Sequence, residues 1–480
     1  MDFISQFTAS FLFVILSILA VGSLPQFLAR LFPSKPASKN RELSTKSGNA
    51  ELSIASLSDQ ISELSSQISA CLSEAGQSEP DFSTSVASVL LTTPEYESLR
   101  ASLNDAALDL LRLVNGPRNT LRTMCFSHYD LSSLQIALER GFFVHVPLPK
   151  EIQGKEDAGI HIARIAEKAK MDVDRAARVL RLLATHRIFE EVGSGSGRFR
   201  HTAMSALMAR DKDFHAMAHM QMDEIFKAAS ELSTLLDRHF AYVSDTENSA
   251  FRTRFGVTTY AYYEQNPLKG ARFAQSMDAW SRMNGQIAEL HRSFPWASLK
   301  NGKIVDIGGG SGHISIGLAR EFPDLRFIVQ DVSTKMLSQA QEDIVASLGG
   351  RVTFQQHSFF EPQPVHDANA FLLRQCLHNY NSSDCVGIIR ALVPALEKCN
   401  AGPPFLINDI ILPESGSTTR YVDHHLRQVD LTMMVTLGAK QRTAREFENL
   451  LKQANERFEV VRVAQNPLGA GLLESYLKVA

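Results

Sequence analysis

Apolar positions recur along the chain in three patterns, and each pattern predicts a different kind of structure. Between Phe3 and Ala29 no residue is charged, and the positions from Phe11 to Leu19 are almost wholly apolar. From Ile54 to about Pro295 apolar residues recur mainly at spacings of three and four, which is the period of one helical face. From Trp296 onwards short apolar runs alternate with helical patterns, which favours a mostly parallel sheet covered by helices on both faces.

The uncharged leader is long enough to cross a bilayer, because a transmembrane helix needs about 20 predominantly apolar residues. The basic residues that follow it outnumber the acids: Arg30, Lys35, Lys39, Arg41 and Lys46 against Glu42. This asymmetry predicts that residues 1–32 anchor the protein in a membrane of the endoplasmic reticulum or of vesicles, with the bulk of the chain in the cytoplasm. A cleaved signal peptide, an interfacial hairpin and a disordered tail are the alternatives. Residues 33–50, rich in Ser, Pro and Lys, are predicted to be a flexible linker.

Residues 51–120 are predicted to form a helical N-terminal region. Its clearest part is an apolar stripe with a Ser-rich outer face, made by Ile54, Leu57, Ile61, Leu64, Ile68 and Leu72. The stripe is too short for a lasting coiled coil, so we expect this helix to dock on its own domain or on a dimer partner.

A winged helix is predicted within residues 121–295. Helical patterns at 161–166 and 173–183 precede a strand pattern at 188–192, a Gly/Ser turn and a second strand at 198–202. The second helix carries Arg175, Arg178 and Arg181, which could contact nucleic-acid phosphates. Nearby acids dilute that charge, so packing or dimerisation is the better interpretation and no nucleic-acid partner is expected.

Composition narrows the class of protein only a little. A chain of 480 residues has room for two or three domains, and a net charge of -3 gives no hint of a nucleic-acid partner. The five cysteines are odd in number and lack CxxC spacing, which fits free thiols in a reducing compartment. We expect neither a disulfide framework nor a metal site.

A glycine-rich turn at 308–312 separates a predicted strand at 303–307 from a predicted helix at 314–320. The dinucleotide pattern Gly-x-Gly-x-x-Gly fails, because its sixth position would be His313 or Ser315. Asp331 ends the next apolar strand, where a carboxylate can accept hydrogen bonds from both ribose hydroxyls. The turn alone would fit an ordinary loop equally well; together with Asp331 it favours a nucleotide-type site.

Two further side chains follow predicted strands and could carry acid–base chemistry. His378 comes after the strand at 370–373, and Asp409 is predicted at the end of the strand at 405–407. A phenol has a pKa of about 10, so an imidazole that removes its proton would speed attack by the oxygen. A carboxylate on the other ring nitrogen would fix the tautomer and stabilise the imidazolium. A lone histidine is more often a packing or surface residue, and its place at the strand end is what favours a functional role.

Residues from about 131 to 480 resemble the plant-type and fungal S-adenosylmethionine-dependent O-methyltransferases, and the fungal secondary-metabolite branch looks closest. The motifs that carry the resemblance occur in order at 305–312, 330–331, 359–365, 372–378, 410–413, 430–434 and 438–443. It implies an α/β fold in which residues 296–480 form a class I methyltransferase doubly wound sheet that binds the cofactor. It also implies that the all-α/winged-helix region in front forms a swapped homodimer and caps the partner's pocket. The implied reaction methylates a phenolic hydroxyl of an aromatic, polyketide-like metabolite.

The resemblance also implies roles for individual residues. His378 falls on the catalytic base and Asp409 on the acid that orients it. The positions that fall on the S-adenosylmethionine site are Asp306, Gly308, Gly310, Gly312, Asp331, Ser358, Phe359 and Arg374. Met277 and Met433 look like the pair that sandwiches the aromatic substrate, although two core methionines are an equally good interpretation.

Four positions depart from the family pattern. Asn379 and Ser358 stand where the family often has Asp, and Asp409 is one methylene shorter than the usual Glu. Gln441 stands at the second catalytic acid and cannot carry charge. We expect activity to survive, because losing an orienting partner costs less than losing the base. The alternatives are a weakly active or non-catalytic relative that binds or regulates, and a methyltransferase with a nitrogen or sulfur acceptor.

Overall fold

The computed structural model describes residues 52–86, 90–149, 158–238, 248–282, 286–338, 342–399, 402–466 and 469–479. The predicted membrane anchor at 1–32 and the predicted linker at 33–50 lie outside these ranges. Within them, no helix combines the length and the apolar character that a membrane span requires.

The front half of the described chain is helical, as the spacing of apolar residues predicts. Its helices are α1 (Ile54–Glu74), α2 (Pro94–Glu139), α3 (Phe142–His145), α4 (Ile162–Ala169), α5 (Val173–Thr185), α6 (Ala203–Arg210), α7 (Lys212–Met220), α8 (Phe226–Ala229), α9 (Leu232–Arg238), α10 (Ala250–Phe255), α11 (Thr259–Gln265), α12 (Pro267–Arg282) and α13 (Gln286–Ser293). A π-helical turn, Gln221–Ile225, joins α7 to α8. A 3-10 turn, Trp296–Leu299, leads to the second half.

Helix α1 confirms the predicted apolar stripe from Leu57 to Leu72, whereas its first predicted member, Ile54, is 52% exposed. Ser53 begins it with a capping box, in which Ser53 and Ser56 each bind the other's backbone N–H. Leu57 and Leu72 are buried while the Ser-rich face is exposed, and the helix packs on α2. Helix α2 is interrupted near its middle, where Gly116 has a φ of 67° in front of Pro117. The predicted domain boundary at residue 120 therefore falls inside α2.

The predicted winged-helix elements are present between α3 and α6. Helices α4 and α5 precede strands β2 (Phe189–Glu191) and β3 (Arg198–His201), which pair antiparallel. A short strand that the sequence pattern did not separate from α4, β1 (Ile160–His161), pairs with β3 on its other side. Arg181 of α5 donates to Glu191 of β2 at 3.2 and 3.3 Å, so this arginine is engaged within the fold, as the packing interpretation requires.

The second half confirms the predicted alternation of strands and helices. Its strands are β4 (Lys303–Ile307), β5 (Arg326–Asp331), β6 (Val352–Gln356), β7 (Ala370–Arg374), β8 (Phe405–Leu412), β9 (Arg442–Thr443), β10 (Phe458–Ala464) and β11 (Ala470–Leu477). Its helices are α14 (His313–Glu321), α15 (Thr334–Leu337), α16 (Glu342–Ser347), α17 (Ser382–Lys398), α18 (Arg420–Leu437) and α19 (Ala444–Ala454), with a 3-10 turn at Leu377–Asn379.

The strand order in the sheet is β10-β11-β8-β7-β4-β5-β6, and β9 pairs with β8. Strands β4 to β8 run parallel, and β10 and β11 form an antiparallel hairpin at one edge. Apolar side chains from both faces of the central strands pack into two clusters, one around Phe371 and one around Trp296. Since parallel strands end at the same edge, residues after β4, β5 and β7 lie together there.

One predicted strand boundary was wrong, and the error changes the surroundings of Asp409. Strand β8 was expected to end before Asp409, but it continues to Leu412 and every residue in it is buried. The antiparallel pairing with β11 extends through Asp409 opposite Gly471 and Ile410 opposite Ala470, which keeps the backbone extended. Asp409 is therefore an interior residue of a strand that is paired on both sides.

Candidate active site

The glycine turn after β4 has the backbone shape that its sequence predicts. Gly308, Gly310 and Gly312 have φ values of 70°, 58° and 77°, in the left-handed region that favours glycine. A Cβ at Gly308 would lie 2.8 Å from Sγ of Cys376 and 3.3 Å from the ring of Phe359. The turn thus has bare backbone at a crowded edge of the sheet, as a close-fitting ligand requires.

Asp331 closes this turn from the neighbouring strand. Its Oδ2 accepts a hydrogen bond from the Gly310 N–H at 3.1 Å, and its Oδ1 accepts one from the Ser333 N–H at 2.8 Å. Each carboxylate oxygen can accept a second hydrogen bond. The residue is only partly buried, so that capacity is available to the two hydroxyls of a ribose.

Asp306 lies behind the turn. It is 1% exposed, and the Ser315 hydroxyl donates to its Oδ2 at 2.6 Å. Burial raises the pKa of Asp306 to about 6, against the lowering effects of the Ser315 hydrogen bond and of Arg374. The carboxyl group thus supports the turn and α14 from within.

Phe359, Ser358 and Tyr380 form the next part of this edge. The Phe359 ring meets the Tyr380 ring edge-on, with centroids 5.7 Å apart and planes at 87°. The Ser358 hydroxyl accepts a hydrogen bond from the Phe360 N–H at 3.4 Å, which holds the loop in a local turn. Burial raises the pKa of Tyr380 to about 12, so this phenol is neutral at pH 7.

His378 and Asp409 form a hydrogen-bonded pair. The imidazole Nδ1 lies 2.6 Å from Oδ1 of Asp409, and the Ile410 N–H donates to the same oxygen at 2.9 Å. The His378 side chain is 13% exposed and that of Asp409 is 1% exposed, so a fixed carboxylate holds a ring that still reaches the cleft. The other oxygen of Asp409, Oδ2, is buried without a partner in the described chain.

Arg374 turns into the sheet beneath this pair. Its guanidinium hydrogen-bonds the side-chain oxygen of Asn408, whose amide nitrogen donates to the carbonyl of Gly471 at 2.6 Å. Burial lowers the pKa of Arg374, and the carboxylates of Asp409 and Asp306 act in the opposite direction. Its predicted contact with a cofactor remains a prediction.

Within the ranges that the structure describes, the Gln441 side chain is connected to the His378–Asp409 pair only through the next residue in the chain, Arg442. It is 2% exposed, and neither amide atom has a partner among the residues described. Its backbone N–H donates to Asp430 at 2.8 Å. The next residue, Arg442, instead donates to the carbonyls of Leu377 and Tyr380, on either side of His378.

The predicted substrate clamp is spread over two helices. Met277 lies on α12 and is 39% exposed, and Met433 lies half-buried on α18. One helical turn before Met277, the Phe273 ring meets Tyr260 edge-on at a centroid distance of 6.5 Å. A sandwich of the substrate between the two methionines stays a prediction.

The sequence pattern missed three residues of this edge: Cys376, Asn408 and Arg442. Each contacts atoms far along the chain, and each is a buried polar group, for which apolar periodicity holds no signal. The nearest hint in the sequence was the place of Cys376, two residues before His378.

The O-methyltransferase domain family matches residues 238–456 of the chain. O-methyltransferase sol2 of Alternaria solani is 45% identical over 427 residues, which are 89% of this chain and 96% of that protein. The chain belongs to the O-methyltransferase family. Chlorophenol O-methyltransferase of Trichoderma longibrachiatum is 30% identical, over 86% of this chain and 88% of its own length.

The methyltransferase has the same fold as the crystal structure of OxaC. The two superpose with a TM-score of 0.69 over 88% of this chain and 99% of OxaC, at 20% sequence identity. A helical front region followed by a class I methyltransferase sheet is therefore its architecture. The resemblance drawn from the motifs is confirmed, and the protein is an S-adenosylmethionine-dependent O-methyltransferase.

Proposed function

We propose that this methyltransferase methylates a phenolic hydroxyl of an aromatic, polyketide-like metabolite, with His378 as the general base. The observation that carries the proposal is the 2.6 Å contact between His378 Nδ1 and Asp409 Oδ1. When Nδ1–H donates to the carboxylate, the lone pair lies on Nε2, which is the atom that can accept a proton. The buried carboxylate then stabilises the imidazolium that forms.

Residues at the strand ends supply a fitting site for the cofactor. The bare turn at Gly308 and Gly310 and the spare acceptor capacity of Asp331 suit the methionyl and ribose parts of S-adenosylmethionine, and Phe359 offers a ring face for its adenine. When bound, S-adenosylmethionine supplies an electrophilic methyl group. The side chains that orient the acceptor and remove its proton are the protein's own.

The phenolic acceptor is supported by the side chains of the predicted substrate clamp and by the aromatic rings one helical turn from Met277. Met277, Met433, Phe273 and Tyr260 offer polarisable and flat surfaces, which suit an aromatic ring. Among the relatives, one is named for a chlorophenol. A neutral hydroxyl needs a base near neutral pH, and the hydrogen-bonded pair provides one.

A homodimer is supported by the surface of α2. Nine large apolar side chains of this one helix are exposed: Leu108, Leu111, Leu113, Val114, Leu121, Met124, Phe126, Tyr129 and Leu131. Apolar positions so concentrated on one element are typical of an interface. A second copy of the chain would cover them.

Replacement of His378 tests the proposed reaction. His378→Ala should lower kcat by roughly 10²–10⁴-fold on phenolic acceptors, the usual contribution of a positioned base. Binding of S-adenosylhomocysteine, measured by calorimetry, should be unchanged because the ring faces the acceptor. His366→Ala, at an exposed histidine of a distant loop, is the matched control and should keep full activity. Undiminished methyl transfer by His378→Ala would exclude this base and favour a nitrogen or sulfur acceptor.

A further inference from the structure

We infer that Arg442 is a positioning residue that holds His378 against Asp409. This inference rests on the proposed role of His378 as the base. The Nη1 atom of Arg442 donates to the Leu377 carbonyl at 2.8 Å, and Nη2 donates to the Tyr380 carbonyl at 2.8 Å. These two carbonyls bracket the 3-10 turn that carries His378. One planar group therefore fixes both ends of that turn.

The same residue is tied to the strand that carries the acid. Arg442 pairs with Ile411 in the parallel ladder between β9 and β8, and Asp409 lies two residues earlier in β8. Arg442 thus contacts both the turn that carries the proposed base, His378, and the strand that carries the acid, Asp409. Since a misplacement of about 1 Å in an active site can reduce the rate roughly 10²-fold, this connection is where the distance between the two catalytic groups is maintained.

The guanidinium of Arg442 is buried. The side chain is 1% exposed, and in the ion pairs of the described residues the nearby Glu446 is held by Lys440, not by Arg442. Burial of an unpaired guanidinium is unfavourable, and an apolar side chain would fill the same space at lower free-energy cost. What an apolar side chain lacks is a pair of donors in a rigid fork, which matches two carbonyls at once.

Two neighbouring side chains, those of Cys385 and Gln441, cannot replace the paired donors of the Arg442 guanidinium. The Cys385 thiol reaches the same carbonyls, at 3.3 Å from Leu377 and 3.6 Å from Tyr380, but a thiol is a weak donor. The Gln441 amide has no hydrogen-bond partner in the region described. Arg442 is therefore the strong donor of the turn.

Steady-state kinetics of Arg442→Met and Arg442→Lys test the inference in the full-length protein. Arg442→Met should lower kcat by roughly 10²-fold with an unchanged KM for S-adenosylmethionine. Arg442→Lys should recover part of the loss, because an ammonium can bind one carbonyl but not both. The loss should be smaller for acidic phenols that are ionised at the assay pH, since they need no base. Arg445→Met is the control: this arginine of α19 is exposed, and its activity should match the wild type.

A double-mutant cycle with His378→Ala separates positioning from general destabilisation. If Arg442 acts through His378, then Arg442→Met should add no further loss to His378→Ala. Losses that multiply, or a loss of the same size for ionised and neutral phenols, would overturn the inference. If Arg442→Met fails to fold, the same cycle with Arg442→Lys decides. Full activity of His378→Ala would instead reject the proposed base, which is a separate result.

Discussion

At the scale of single residues, the proposed base has one charged partner. Asp409 accepts from His378, while Gln441 stands where the family resemblance implies a second acid. The Gln441 amide is buried and cannot carry charge, so the proposed mechanism has a single carboxylate, Asp409, to stabilise the imidazolium. That difference should be visible in the pH dependence of the reaction.

Gln441→Glu should move the acidic limb of the pH–kcat profile to higher pH. A carboxylate near the pair favours the protonated imidazole, so the base becomes available only at a higher pH. The profile should be measured with a phenol that stays neutral throughout the range. Gln441→Leu serves as the control, since it changes the side chain without adding charge, and its acidic limb should stay in place. An unmoved limb in Gln441→Glu would place residue 441 outside the electrostatic reach of His378.

The residues that could be predicted from sequence are those whose local context reveals them. The glycine turn, Asp331 and His378 each follow an apolar run, and a strand end is readable from that run alone. The position of Asp409 was only half predicted, because the length of β8 depends on its pairing with β11. The role of Arg442 could not be predicted from the sequence. Its carbonyl partners lie 65 and 62 residues away, and an arginine is normally expected at the surface.

At the scale of elements, a buried ionic cluster joins α12 to the π-helical turn. Asp223 and Glu224 are consecutive, yet both hydrogen-bond Arg272 of α12. In a regular α-helix consecutive side chains diverge by about 100°, and the wider π-turn alters that direction. Lys269 also donates to Asp223, at 3.0 Å. The cluster holds in place the helix that carries Met277.

Asp223→Asn should lower the free energy of unfolding by roughly 3 kcal/mol at pH 7, because it removes a nearly buried carboxylate that pairs with Lys227, Lys269 and Arg272. Burial by itself would raise the pKa of Asp223, but hydrogen bonds from Lys227, Arg272 and Lys269 outweigh it and lower the pKa. The stabilisation is thus complete above the ordinary aspartate pKa and is lost as the pH falls through the lowered value. Urea unfolding at several pH values should show the difference from wild type shrinking below about pH 4.

The exposed ion pair between Asp367 and Lys303 offers a comparison. Asp367→Asn should change stability by less than about 1 kcal/mol, since solvent screens a surface pair. Equal effects of the two substitutions would mean that the buried cluster does not brace α12.

At the scale of the whole molecule, the exposed apolar side chains of α2 are the surface that a partner would cover. The helical half and the strand alternation were both predictable from apolar spacing. The exposure of the apolar side chains of α2 could not be predicted, because the same spacing describes a helix buried in its own domain and a helix that packs on another copy.

Leu121→Glu combined with Met124→Glu should convert a dimer into a monomer. Both side chains are exposed on α2, and burial of two carboxylates in an interface is strongly unfavourable. Sedimentation velocity should give twice the chain mass of 53.2 kDa for the wild type and that mass for the variant. Val461→Glu, at an exposed position of β10, should remain dimeric. A wild-type monomer would exclude the assembly.

Residues 1–32 should direct the protein to membranes. In cell fractionation the full chain should resist alkaline carbonate extraction, and a chain without these residues should remain in the supernatant. Leu12→Lys with Leu16→Lys keeps the length of the leader but adds two charges, each of which costs about 3 kcal/mol at a bilayer centre. Retention of this variant in the membrane fraction would contradict a spanning anchor.

Strand β11 supports the strand that carries Asp409. Gly471 and Ser475 of β11 hydrogen-bond β8 from its far side, at the Asn408 amide and the Phe405 carbonyl. Loss of the segment Ala470–Leu477 would remove this brace and release the strand that bears Asp409. Val479, in contrast, is 95% exposed, so a purification tag fused after it meets open solvent.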